Sequence, residues 1–123
     1  KYGAIKMKWD EDSRRLQEKM AEYALSVKQH FKQKICFLNF IIQVTKDCDC
    51  LAKNQPAIVE DVGIAGSLDP VAVDRASIDL VLKTAGQDAF RKGYNIDWSV
   101  QLSYGEKIGL GHQQYELVEI TEF

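Results

Sequence analysis

The ten residues Ile35-Cys36-Phe37-Leu38-Asn39-Phe40-Ile41-Ile42-Gln43-Val44 are apolar at odd and even positions alike, and rich in β-branched and aromatic side chains. Such a run shows neither clean alternation nor a helical period. It fits a strand buried on both faces, in the middle of a sheet covered by helices. It is too short for a membrane span, which needs ~20 apolar residues, so no membrane partner is expected. A strand of this kind demands a layer above and a layer below it, which points to an α/β arrangement. Asn39 breaks the run. A buried amide must find hydrogen-bond partners, so Asn39 either closes a loop inside the core or points toward a site.

The flanking segments can supply those layers. From Asp10 onward, Leu16, Met20, Tyr23, Ala24, Val27 and Phe31 recur at three- and four-residue steps, the pattern of an amphipathic helix. Asp10, Glu11 and Asp12 at its start and Lys28, Lys32 and Lys34 near its end match the sign of the helix dipole. Asp69-Pro70 starts a second helix, because Asp accepts hydrogen bonds from free amides and Pro fits the first helical position. That helix runs to Thr84 or Ala85 and stops at Gly86; its apolar residues cover more than half of its circumference, so it packs on two sides. Residues 87–94 carry at most one further turn, and Asp97 caps a helix that Gly109 and Gly111 end. A further strand is placed at Ile58–Val59 or at Gly63–Ala65, and another at Tyr115–Thr121; Lys1–Lys8 reads as an edge strand or a linker. The expected fold is a single α/β domain over residues 1–123, a small sheet of three or four strands packed by about three helices, and part of a larger α/β domain.

Charge narrows the partners. With 16 Lys and Arg against 18 Asp and Glu the formal net charge is −2, and neither a basic excess nor a basic stripe marks a nucleic-acid binder. Three cysteines, Cys36, Cys48 and Cys50, form no disulfide framework, which favours a reducing compartment and a cytoplasmic location. The chain begins at Lys1 without a signal-like segment. It is expected to be a piece of a longer chain.

The sharpest chemical feature is Asp47-Cys48-Asp49-Cys50. Two thiols one residue apart are too close for a comfortable disulfide, but both can join a metal site if the loop curls, since thiolates suit zinc, copper(I) and iron–sulfur clusters. The alternatives are a packed loop in which Asp47 and Asp49 cap turns, and a redox-active thiol, against which the flanking carboxylates work by raising the thiol pKa. Among the acidic residues behind this loop, Asp69 is accounted for as a helix cap, and Asp74 and Asp79 do not share a helix face. Asp61, in a glycine-flanked bend, stays a candidate. His112 between Gly111 and Gln113 is a weaker one, and His30 has a surface or packing role by default. No phosphate-binding loop, nucleophile elbow or complete dinucleotide fingerprint is present.

The segments Lys19-Met20-Ala21-Glu22-Tyr23-Ala24, Phe37-Leu38-Asn39-Phe40, Asp47-Cys48-Asp49-Cys50 and Ile58 to Ser77, with its Asp61-Val62-Gly63-Ile64 and Ser67-Leu68-Asp69-Pro70-Val71-Ala72, carry a resemblance. In this order they resemble the C-terminal part of the uncharacterised iron–sulfur centre proteins, the domain of unknown function 362 family; the closing Gly109-Leu110-Gly111 and Tyr115-Glu116-Leu117 are similar too. The resemblance implies iron–sulfur clusters in the full-length protein, held by a ferredoxin-like insert that this sequence lacks. Within this chain a metal ion is the cofactor to look for. The expectation is a C-terminal segment of an iron–sulfur or redox protein in which Cys48 and Cys50 contact metal, with Asn39, Asp47, Asp49 and Asp61 lining the same cofactor or substrate site. The competing expectation is a non-catalytic assembly module that completes a larger sheet or a dimer. Expected partners are the upstream part of its own chain and a second copy in a homodimer.

Overall fold

The computed structural model describes residues 13–32, 34–47, 53–94 and 96–120. The elements in chain order are α1 (Ser13–Phe31), β1 (Phe37–Ile41), β2 (Gly63–Ser67), α2 (Pro70–Ala85), α3 (Ala89–Tyr94) and α4 (Ser99–Lys107). The α/β character holds. Among the described residues the sheet has two antiparallel strands, with Phe37 opposite Ser67 and Ile41 opposite Gly63. Beyond them, Thr45 and Ala57 form an isolated antiparallel bridge.

α2 is the central element. Asp69 caps it, its Oδ1 accepting from the Val71 and Ala72 amides at 2.9 and 3.1 Å, and Pro70 takes the first helical position. Gly86, at φ 65°, ends it in the left-handed conformation that glycine tolerates without a Cβ clash. Val71, Ala72, Val73, Ala76 and Val81 are buried, enough to serve two sides, as the apolar pattern requires. One core joins Val71 to Ala21 of α1, Leu102 of α4 and Leu110. A second joins Val81 to Ile41, Val59 and Ala89, under the sheet and α3.

Three sequence expectations meet a different outcome. The 35–44 run forms a strand only over Phe37–Ile41, with one face on α2 and the other covered by no described element. Its inner face carries Phe37, Asn39 and Ile41, while Leu38, Phe40 and their β2 neighbour Ile64 are 58%, 61% and 63% exposed. Cys36 precedes the strand and is exposed. In the predicted α1 stripe Leu16, Met20, Tyr23, Ala24, Val27 and Phe31, only Ala24 packs on the core, and the five larger residues face outward. The helix docks instead through Ala21, Ala24 and Leu25 against α4 and through the Lys28 Nζ bond to the Leu110 carbonyl at 2.6 Å. The helical period is as expected, and the buried side is shifted from the predicted stripe toward Ala21 and Leu25, with Ala24 shared by both. Finally, residues 115–120 pair with no strand among the described residues; Tyr115 bonds through its hydroxyl to Asp79 Oδ2 at 3.0 Å, and Leu117, Val118 and Ile120 are exposed. Alternation alone does not make a strand: the segment is tied to α2 through Asp79 and joins neither free edge of the two-stranded sheet. The expected strand at Lys1–Lys8 lies outside the described residues.

Candidate functional site

The connection from β1 to β2 leaves and re-enters at one end of the sheet, because the strands are antiparallel and Ile41 lies opposite Gly63. Its first turn places Gln43 at φ 50°, a left-handed conformation seldom adopted by non-glycine residues. Asp61 holds that turn: its Oδ1 accepts from the Gln43 amide at 2.7 Å, and the Val62 amide bonds to the Ile41 carbonyl at 2.8 Å. Further out, the Thr45–Ala57 bridge and the Ile58 amide on the Val44 carbonyl, at 2.8 Å, close the base of a loop. Within it the Thr45 hydroxyl donates to the Asp47 carbonyl, the Asp47 amide donates to Gln55 Oε1, and Lys53 Nζ lies 3.7 Å from Asp47 Oδ2. Cys48, Asp49 and Cys50 lie in this loop, outside the described residues.

Asp47 and Asp61 therefore share one end of the sheet, each tied to backbone or to a neighbouring side chain. Asn39 is elsewhere. It points from the inner face of β1 to α2, where its Nδ2 donates to Asp74 Oδ1 at 2.8 Å and to Ser77 Oγ at 3.0 Å. The Ser77 hydroxyl in turn donates a hydrogen bond to the Val73 carbonyl. Of the two roles open to Asn39, this is a satisfied amide joining sheet to helix. Burial pushes the Asp74 carboxyl above its ordinary value, and the Asn39 bond opposes this without cancelling it. No hydrogen bond joins Asn39, Asp47 and Asp61 to one another. The sequence reading set Asp74 aside because it shares no helix face with Asp79, and it did not single out Ser77, although both polar side chains sit on an otherwise apolar helix face.

A second polar cluster surrounds the start of α2. Asp69 Oδ2 accepts from the His112 amide at 2.9 Å and lies 3.4 Å from His112 Nδ1. Gly111 is buried there, and a Cβ on it would run into the Asp69 carboxylate. Burial pushes the Asp69 carboxyl up, but the Ala72, His112 and Val71 amides and the His112 side chain outweigh it and hold it below its ordinary value. His112, a candidate by its glycine flanks, thus buttresses a helix cap.

A cavity of about 540 Å³ opens beside the base of the cysteine loop, lined by Thr45, Lys46, Ile58, Gln87, Ala89, Phe90, Lys92, Ile96 and Trp98. Sequence reading gave residues 87–94 at most one helical turn and placed Trp98 in the helix capped by Asp97, and it did not bring Phe90, Ile96 and Trp98 together as one apolar wall.

Iron–sulfur binding can be tested on the donor set. A four-iron cluster commonly takes four cysteine thiolates, and the chain has three cysteines. Among the described residues no three His, Cys, Asp or Glu side chains converge to hold a metal. The residues do not fit a four-iron cluster held by this chain alone. No helix of the described residues is long and apolar enough to cross a membrane.

No curated protein and no solved structure matches the chain. A family model described as Domain of unknown function (DUF362) matches residues 2–79, more than half of the sequence, taking in α1, both strands, the cysteine loop and the first part of α2. The chain belongs to the DUF362 family.

Proposed function

We propose that this chain is an assembly module of a DUF362 protein, with the outer face of its two-stranded sheet as the docking surface. One observation carries the reading: Leu38, Phe40 and Ile64 stand side by side on a sheet face that no described element covers. Clustered exposed apolar side chains of this kind mark interaction surfaces. The partner is further polypeptide, either the rest of the same chain or a second copy, adding a layer to a larger α/β domain. The exposed stripe of α1 offers a second such surface. Substituting Leu38, Phe40 and Ile64 together by Thr tests this. The variant should keep its far-UV circular dichroism, bind less of an apolar dye and sediment as a smaller species than the wild type at high concentration. Loss of fold would mean that these residues are core, and unchanged dye binding and sedimentation would mean that the face docks nothing.

A second reading concerns the cysteine loop. The Thr45–Ala57 bridge and the Asp47 contacts hold the loop closed at its base, which supports a role for Cys48 and Cys50 as ligands in a metal or cluster site completed by other polypeptide. Asp47, Asp49 and Asp61 would then line that site. Replacing both cysteines by Ser should lower the metal content of the complete DUF362 protein; unchanged content would remove the loop from any metal site.

A further inference from the structure

The segment after α4 is anchored at its start and pairs with no strand further on. Gln113 bonds to Glu106 through its amide and its side chain, both at 3.0 Å, and the Tyr115 hydroxyl holds Asp79. Beyond this anchor, residues 116–120 make no backbone hydrogen bond among the described residues, and Leu117, Val118 and Ile120 are exposed. The sheet has the complementary lack. β1 pairs only with β2, so its other edge is free among the described residues, and a free edge is a template for a further strand. A groove of about 300 Å³ runs along that edge, between Phe40 and Ile41 of β1 and Ser77, Ile78 and Val81 of α2, with Phe90 beside them; no described residue of β2 lines it. A strand added to β1 would send alternate side chains into this groove.

The segment is on the wrong side of α2 to fill the groove of its own copy. Asp79 lies five residues from Asp74 and two from Ser77, the residues that hold Asn39. At 3.6 residues per turn it is rotated about 140–160° away from the side of α2 that carries the sheet. Five residues span about 17 Å as a strand, and half the girth of a helix about 10–12 Å across takes roughly 16–19 Å. Going around α2 would therefore use up the segment before it could pair. We propose that residues 116–120 add as a strand to the free edge of β1 in a second copy, the two copies exchanging strands reciprocally. A second copy is the occupant because one chain carries both the unpaired strand and the matching edge. Val118 and Ile120, two residues apart, enter the groove over Ile78, Val81 and Phe90, and Leu117 turns outward beside Leu38 and Phe40. This pairing runs through the backbone edge and does not rest on docking of the outer sheet face.

Amide hydrogen exchange of the whole chain, followed by NMR at micromolar and millimolar concentration beside sedimentation, tests the pairing. The concentrated chain should sediment as a dimer, and its 116–120 amides should exchange about tenfold more slowly than in the dilute monomer. Adjacent strand amides point to opposite edges, so Leu117→Pro with Val118→Pro removes a donor whichever edge of the segment pairs. That variant should keep its far-UV circular dichroism and lose both the dimer and the slowing. Substituting Leu38, Phe40 and Ile64 by Thr should leave the slowing in place, which separates this pairing from docking of the outer face. Exchange of residues 116–120 that is the same at both concentrations, or a dimer that survives the two prolines, would overturn the proposal. Should the proline variant lose its fold, the wild-type concentration series alone decides.

Discussion

Single residues carry two opposite electrostatic assignments within α2. Asp69 is held below its ordinary value of 3.8, so its contribution to stability is complete above that pH and is lost as the pH falls through its lower folded value. Asp69→Ala should cost about 1–2 kcal/mol at neutral pH and flatten the loss of stability below pH 3.8, as read by urea unfolding across the acid range. Asp74 has the reverse sign. Its carboxyl is raised above 3.8, so the folded state binds the extra proton and stability falls as the pH rises from 3.8 through the folded value. Asp74→Asn keeps an oxygen for the Asn39 amide and removes the buried charge, so it should be neutral or stabilising near pH 7 and abolish that fall. Asn39→Leu leaves the half-buried Asp74 carboxylate without its amide donor and should cost about 1–3 kcal/mol in the same unfolding assay. At this scale the sequence was readable where a residue acts on its chain neighbours. Asp69 before Pro70 spells out a cap, and Gly86 spells out a stop. Asn39 was readable only as a question, because its partners Asp74 and Ser77 lie 35 and 38 residues away.

Between elements, the closest constraint is the contact of α2's first turn with the segment after α4. Gly111 sits where any side chain would strike the Asp69 carboxylate. Gly111→Ala should force that carboxylate off its amides and cost about as much as losing the cap, roughly 1–2 kcal/mol. Because both substitutions break one cap, Asp69→Ala with Gly111→Ala should cost clearly less than the sum of the two, measured by a double-mutant unfolding cycle. Element identity was legible from period and capping: α1, α2, α4 and the strand at residues 63–67 fall where apolar steps and turn residues put them. Burial was less legible. Leu16, Met20, Tyr23, Val27 and Phe31 have the spacing of a core face, yet α1 packs through its neighbouring face, where Ala21 and Leu25 meet α4. The 115–120 segment has strand-like residues and yet joins neither described edge of the sheet. Each miss follows from one cause: a sequence pattern states that a face is apolar, and only the other elements decide whether that face is covered.

For the molecule as a whole, the run that demanded layers on both sides has a layer on one among the described residues. The inner face of β1 rests on α2, and the outer face presents Leu38 and Phe40 beside Ile64. The sequence reading of a doubly covered strand and the observed open face agree if further polypeptide supplies the second layer, which is the assembly role proposed here. The cysteine loop, anchored at the same end of the sheet as Asp61, would then lie next to the seam between this module and its partner. Covalent footprinting with a photoactivated carbene tests the docking of this face most directly, by comparing the chain inside the cells that make it with the purified chain. Labelling of Leu38, Phe40 and Ile64 should be strong in the purified chain and several-fold weaker in cells, while buried Ile41 and Val81 stay weakly labelled in both. Equally strong labelling of the outer face in the two settings would contradict the account.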